Sequence, residues 1–246
     1  MQNAKELISL DDKRIFDSPR DVSTQEALKI FGDEIKKFAN GWELSAEDIV
    51  ANAIVNPAKR KFTIRDNYHF SRRQIRRFIA HEIYTHILRA ECGLLQPYNM
   101  FSTGLAGYES TEEGLALYKE RMEGVLDRKS LKGYAGRVLA IDIALNSSFR
   151  ETYDFLRKFY PKSQSWTLTV RVKRGLTDTS QPGAFTKDLI YLKGYYEILD
   201  YVKGGNSIKD LHFGKIGIAD VPIVKKIHEL NDPSPILKSK FTKLYW

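Results

Sequence analysis

The chain has 246 residues, 42% apolar, 12% aromatic and 28% charged, a balance that buries an enzyme-sized core and excludes disordered, collagen-like and low-complexity classes. Its 39 Lys and Arg against 31 Asp and Glu give a net charge of +8, a field that attracts acidic partners. A single cysteine, Cys92, excludes an internal disulfide and a cysteine-built zinc site, so any metal must rest on His, Asp or Glu.

No apolar run approaches the roughly 20 residues that cross a bilayer, so no membrane partner is expected. The opening residues Met1–Glu6 lack the apolar stretch of a secretion signal, and the cytoplasm is the expected compartment. With no repeat and no long Gly/Ser or Pro linker, residues 1–20 read as an N-terminal extension and 21–246 as one domain. Ser23 with Glu26 caps a first helix that buries Leu28, Phe31, Ile35 and Phe38 and stops at Gly41. Short extended pieces follow. Among them Lys61–Arg65 alternates polar and apolar residues, and its basic outer positions suggest an edge strand that could accept an extended substrate by strand addition.

Ser71-Arg72-Arg73-Gln74 is a capping box that opens a helix running past His86 to a stop at Gly93. Thr111 is placed to cap the next helix, with Glu112 and Glu113 in its first turn and an apolar stripe of Leu115, Tyr118, Met122 and Val125. Further helices are read around Ala135–Leu145, after Ser148 with Glu151, over Thr186–Lys203 and near Pro222–Leu230. Trp166–Val172 is ambiguous, because Trp166, Leu168, Val170 and Val172 alternate as a strand would while helical neighbours surround them.

The chemistry-bearing segment is His81-Glu82-Ile83-Tyr84-Thr85-His86. Histidines four apart on a helix lie about 40° apart and can share a metal; five apart, they diverge by about 140°. The spacing therefore predicts a widened, π-helical turn between His81 and His86 that brings them back to one face. A catalytic zinc takes three protein ligands and leaves the fourth position for water, so a carboxylate is sought nearby. Glu112 and Glu113 open the next helix, and Gly114 after them leaves room for another helix to approach. Acids in a first helical turn also complement the macrodipole, whatever the function.

These residues, together with Arg174-Gly175, Asp178-Thr179-Ser180 and Pro182-Gly183-Ala184-Phe185-Thr186-Lys187-Asp188, resemble the microtubule-associated tyrosine carboxypeptidase family from roughly Trp42 to Val224. The resemblance implies a mostly helical, gluzincin-like α+β metallopeptidase with a small edge sheet before the zinc helix. It implies zinc as cofactor, His81, His86 and Glu113 as ligands, Glu82 as general base, and removal of a terminal residue, tyrosine or another aromatic, from the tail of a protein or peptide. Glu112 is then a support or an exposed acid. One departure is Tyr84, where the eukaryotic members carry a glycine, and it bears on pocket shape and specificity. A carboxypeptidase must hold a free carboxylate, for which Arg171, Arg174 and Lys187, with Tyr191, are the candidates; the basic residues could equally pair with Asp178 and Asp188. The positive field suits an acidic tail. The alternative is a non-catalytic binding protein that uses the basic stretch Lys59–Arg77 for nucleic acid or an acidic protein, although nucleic acid is the less expected partner. His69, His212 and His228 have no partner at metal spacing, and Cys92 reads as a buried small hydrophobe.

Overall fold

A computed structural model describes residues 19–238 and, before them, Ala4, Leu7 and Ile8. Most of the expected extension, residues 1–20, lies outside the described residues. The chain forms two compact units, a larger one of Ile15–Leu126 with Gly194–Trp246 and a smaller one of Met1–Arg14 with Asp127–Lys193. Composition marks no linker at any of the three crossings, and the last falls inside a continuous helix, Leu189–Lys203. The described strands all belong to the larger unit, and helices dominate both, which makes the fold α+β.

In the larger unit, α1 (Thr24–Ile35) is capped by the Ser23 hydroxyl, which accepts from the Glu26 N–H, and ends well before Gly41. It packs on a three-stranded sheet of β1 (Glu43–Glu47), β2 (Ala53–Asn56) and β3 (Lys61–Arg65), in the order β1-β3-β2. The expected edge strand is thus the central one. β3 pairs in parallel with β1 and antiparallel with β2, so both of its ladders are filled and no substrate strand can add to it. Of the basic residues that suggested an edge, Lys61 instead bonds Glu43 (3.0 Å) and Glu47 (2.8 Å) of β1. Phe62, Thr63 and Ile64 are all buried, as a central strand requires, and Phe62 meets Phe31 of α1 edge to face at 5.3 Å.

The helix that follows the sheet is one rod in three parts: α2 (Arg72–Phe78), a π-helical stretch (Ile79–Ile87) and α3 (Leu88–Leu94). Ser71 and Gln74 form the expected capping box, and the widened turn stands where the histidine spacing placed it. Gly93 does not stop the rod. It lies one residue before the end of α3, and a Cβ there would come within 2.2 Å of the Phe101 carbonyl oxygen, so the position has no room for a side chain. Next, α4 (Tyr108–Met122) starts three residues before the expected cap at Thr111, with Gly107 at its N-cap. The Thr111 hydroxyl accepts instead from the Ile218 N–H at 2.9 Å.

Gly114 of α4 lies against Gly194, where a Cβ on Gly114 would come within 2.1 Å of the Gly194 carbonyl carbon. The backbone contact anticipated after the acid pair is therefore present. Gly114→Ala is expected to force the two segments apart and to destabilise the fold by at least about 1–3 kcal/mol. An unchanged urea midpoint would show that this contact relaxes freely.

The smaller unit contains α5 (Arg128–Ala144), α6 (Phe149–Leu156) and α7 (Lys162–Lys173), which bury Leu139, Ile141, Leu156, Leu168 and Val172 together. Asp127 caps α5 a full two turns before the expected start at Ala135, and Ser148 with Glu151 makes the expected box on α6. The ambiguous segment is helical. Ser165, Leu168, Thr169 and Val172 are the buried face, at helical spacing, while Trp166 and Val170 face outward at 55% and 44% exposure. Thr169 and Ser165 fit that face by donating their hydroxyls back to the carbonyls of Ser165 (2.8 Å) and Tyr160 (3.2 Å). Last, α8 (Leu189–Lys203) begins three residues later than read, and the helical turn near Pro222 is confined to Val221–Val224.

Candidate functional site

The π-helical stretch determines what His81 and His86 can do. With one residue absorbed, the two imidazoles stand on the same side of the rod with ring centroids 5.1 Å apart. Ligand-type atoms of His81, Glu82 and His86 all lie within 4.8 Å of one another. The facing helix α4 supplies three acids, and each has a different task.

Glu120, fully buried, accepts from His81 Nδ1 at 2.7 Å and from Arg77 Nε at 2.9 Å. Glu112, 3% exposed, accepts from His86 Nδ1 at 2.8 Å, from Arg89 at 2.6 Å, and from Lys215. A carboxylate only accepts, so both Nδ1 atoms carry a proton, and the lone pair that each ring would offer a metal is that of Nε2. Glu113 faces those lone pairs. Its Oε2 lies 3.4 Å from His81 Nε2 and 3.9 Å from His86 Nε2, and is buried with no hydrogen-bond partner among the described residues.

This arrangement fits a metal ion. Tetrahedral ligands at the usual zinc distances stand about 3.4 Å apart, close to the 3.4 and 3.9 Å that separate Glu113 Oε2 from the two Nε2 atoms. An orphaned buried carboxylate oxygen among imidazole lone pairs is costly unless a cation satisfies it. The charges agree. Burial disfavours a charged His81, yet Glu113 and Glu120 outweigh it and hold its pKa well above the ordinary value. Burial likewise works to raise the carboxyls of Glu112 and Glu113, but Lys215 and Arg89 around the first, and His81 and His86 around the second, hold both below the usual range. The acids around the rings thus favour positive charge at this place, on an imidazole or on a metal ion.

The sequence left Glu112 and Glu113 on a par in a first helical turn. With the helix starting at Tyr108, Glu109 is the first-turn acid, and Glu112 and Glu113 sit deeper, so the macrodipole no longer accounts for them. Glu120 was not singled out. It lies seven residues beyond Glu113, two turns along the same helix face, and that spacing was the available signal.

The remaining candidates, Arg171, Arg174, Lys187 and Tyr191, belong to the smaller unit. Arg171 grips Asp188 through Nε and through a second bond at 3.0 Å, and Arg174 lies 3.6 Å from the same acid with its guanidinium over Phe185. The local ion pairs allowed by the spacing are therefore present on Asp188, whereas Asp178 binds Ser180. Lys187 is exposed. Tyr191 stacks on Tyr134 at 5.3 Å, and Arg137, which sequence reasoning missed, places its guanidinium over both rings at 4.8 and 5.5 Å.

Much of the basic stretch is engaged internally. Arg60 bonds Glu91 (2.8 Å), Arg72 bonds Asp21 (3.3 Å), Arg77 bonds Glu120, and Arg73 donates to the Val125 carbonyl (2.9 Å). Cys92 is fully buried and its thiol is pushed up to about 12 by that burial, so it is not a nucleophile. His69 and His228 are exposed, and no described helix is long and apolar enough to cross a membrane.

A family model described as microtubule-associated tyrosine carboxypeptidase matches residues 1–239. Among curated relatives, "Microtubule-associated tyrosine carboxypeptidase 1" of Mus musculus is 34% identical over 184 residues, 72% of this chain and 38% of the relative. Its Homo sapiens counterpart is 32% identical over the same shares. "Putative tyrosine carboxypeptidase MATCAP2" of Homo sapiens is 36% identical over 159 residues, 60% of this chain and 29% of the relative. The matches span well under half the length of these relatives.

Proposed function

Since the chain belongs to the microtubule-associated tyrosine carboxypeptidase family, we propose that it is a gluzincin-like, zinc-dependent carboxypeptidase that releases a terminal tyrosine or other aromatic residue from a protein or peptide tail. The observation that carries this reading is the buried, unpartnered Glu113 Oε2 facing the Nε2 atoms of His81 and His86. In it, His81, His86 and Glu113 hold zinc, Glu120 and Glu112 orient the rings, and Glu82 is the general base. Bound zinc would supply a Lewis acid that polarises the scissile carbonyl and makes water acidic enough to attack near neutral pH. The Glu82 carboxylate takes the proton of the attacking water and delivers it to the departing amine, so it ends the cycle ionised as it began. Arg171, Arg174, Lys187 and Tyr191 are proposed to receive the substrate's free carboxylate and terminal side chain. The excess of basic residues supports an acidic tail as partner, and the lone buried cysteine suits the cytoplasm.

The test is the zinc content of purified protein together with the terminal residue released from a peptide ending Glu-Glu-Tyr and from its amidated twin. About one zinc per chain, with release from the free acid alone, is the expected result. Equal cleavage of the amidated peptide would exclude a carboxypeptidase, and absence of zinc after reconstitution would overturn the metal reading.

A further inference from the structure

A π-helical turn exposes a problem of its own, since the inserted residue takes some carbonyls out of register with their usual donors. In this rod the Leu88 N–H, which in an α-helix would reach the Tyr84 carbonyl, bonds the carbonyls of Ile83 and Thr85. The Tyr84 carbonyl is met from another helix: Lys119 of α4, 2% exposed, donates its Nζ to it. Lys119 is held in turn by His212, whose Nε2 lies 3.0 Å from Nζ. His212 Nδ1 lies 2.8 Å from the Ile208 carbonyl oxygen, which can only accept, so Nδ1 carries a proton and Nε2 accepts from the lysine. At the other end of the widened turn, the Thr85 hydroxyl donates to the Ala80 carbonyl at 3.0 Å.

Burying a lysine is expensive, and this one carries two hydrogen bonds that bear on the widened turn. One goes to a backbone carbonyl between His81 and His86 and the other to a ring that points it there. We infer that Lys119 is a positioning residue that pins the π-helical turn and thereby keeps the two histidines in the register that a shared metal ion requires. If that turn relaxed to an α-helix, His86 would swing about 140° from His81 and the ligand set would come apart. This inference rests on the zinc reading above, but the pin itself exists without metal.

The test compares wild type, Lys119→Met and a control, Thr152→Val, which removes a buried hydroxyl bond to the Ser148 carbonyl (2.7 Å) in the smaller unit. Two quantities are measured: zinc affinity by competition with a chelator, and hydrogen exchange of the amides of residues 79–88 in metal-free protein. For Lys119→Met, affinity is expected to fall at least about tenfold, in the range of residues that support metal ligands, with selective loss of protection in residues 79–88. The control should lose stability without either change. Unchanged affinity and protection in Lys119→Met would overturn the inference, as would equal losses in the control. Should Lys119→Met fail to fold, Lys119→Gln, which keeps a shorter donor, is expected to show a smaller loss of both quantities, and wild-type values would overturn the inference. If wild type itself bound no zinc, the metal reading would fail while the exchange comparison still decided the pin.

Discussion

Replacing Glu82 by Gln should lower kcat by about a thousandfold or more while zinc content and the unfolding midpoint stay at wild-type values. The amide keeps the size of the carboxylate but cannot accept a proton from water, and a positioned acid–base group contributes roughly 10²–10⁴ to a rate. Glu82 is half-buried beside His81 and His86 and is outside the ligand triad assigned here, so the site should still load. Release of tyrosine from the free-acid peptide, measured with metal content on the same sample, separates the outcomes. Full activity would remove Glu82 from its role, whereas loss of metal together with activity would make it a ligand.

The second large effect concerns stability. Glu112→Ala, assayed by urea unfolding of metal-free protein, is expected to cost about 3–5 kcal/mol, because it strands buried charges. Arg89 has no exposed surface; its guanidinium bonds Glu112, the Leu211 carbonyl at 3.0 Å and the Ile216 carbonyl at 2.6 Å. Glu112 is the acid paired with it, and Lys215, 4% exposed, leans on the same carboxylate. His86 Nδ1 would lose its acceptor as well. Working without metal keeps ligand binding from adding to the difference. An acid that merely complemented a helix dipole at the surface would cost at most about 1 kcal/mol on removal, so a loss that small would refute the bridging role.

The features legible in the sequence share a short range. Capping boxes at Ser71–Gln74 and Ser148–Glu151 are set by side chains three residues apart, and both formed. The five-residue spacing of His81 and His86 implied a π turn through helix geometry alone, and the turn is there. Gly114 after an acid pair announced a close backbone approach, although not that the partner would be another glycine, Gly194.

What the sequence missed depended on partners distant in the chain. Lys61–Arg65 has the same alternation at a sheet's edge or centre, and only the pairing with Glu43–Glu47 and Ala53–Asn56 made it central. Trp166–Val172 could be read with either period until the burial of Ser165 and Thr169 showed which side faced the core. Glu120 and Lys119 carry no motif, because their tasks are defined by His81 and by the Tyr84 carbonyl on the facing rod.

By itself, then, the sequence determined the local pattern: two histidines and a glutamate on one rod, an acid pair before a glycine on the next helix, and the backbone distortion that brings the two histidines to one side. Tertiary structure alone decided which acid faces the imidazole lone pairs, which acids hold the opposite ring nitrogens, and what secures the widened turn. The physical reason is that hydrogen bonds and ion pairs between helices depend on the relative placement of segments dozens of residues apart, which helical periodicity leaves open.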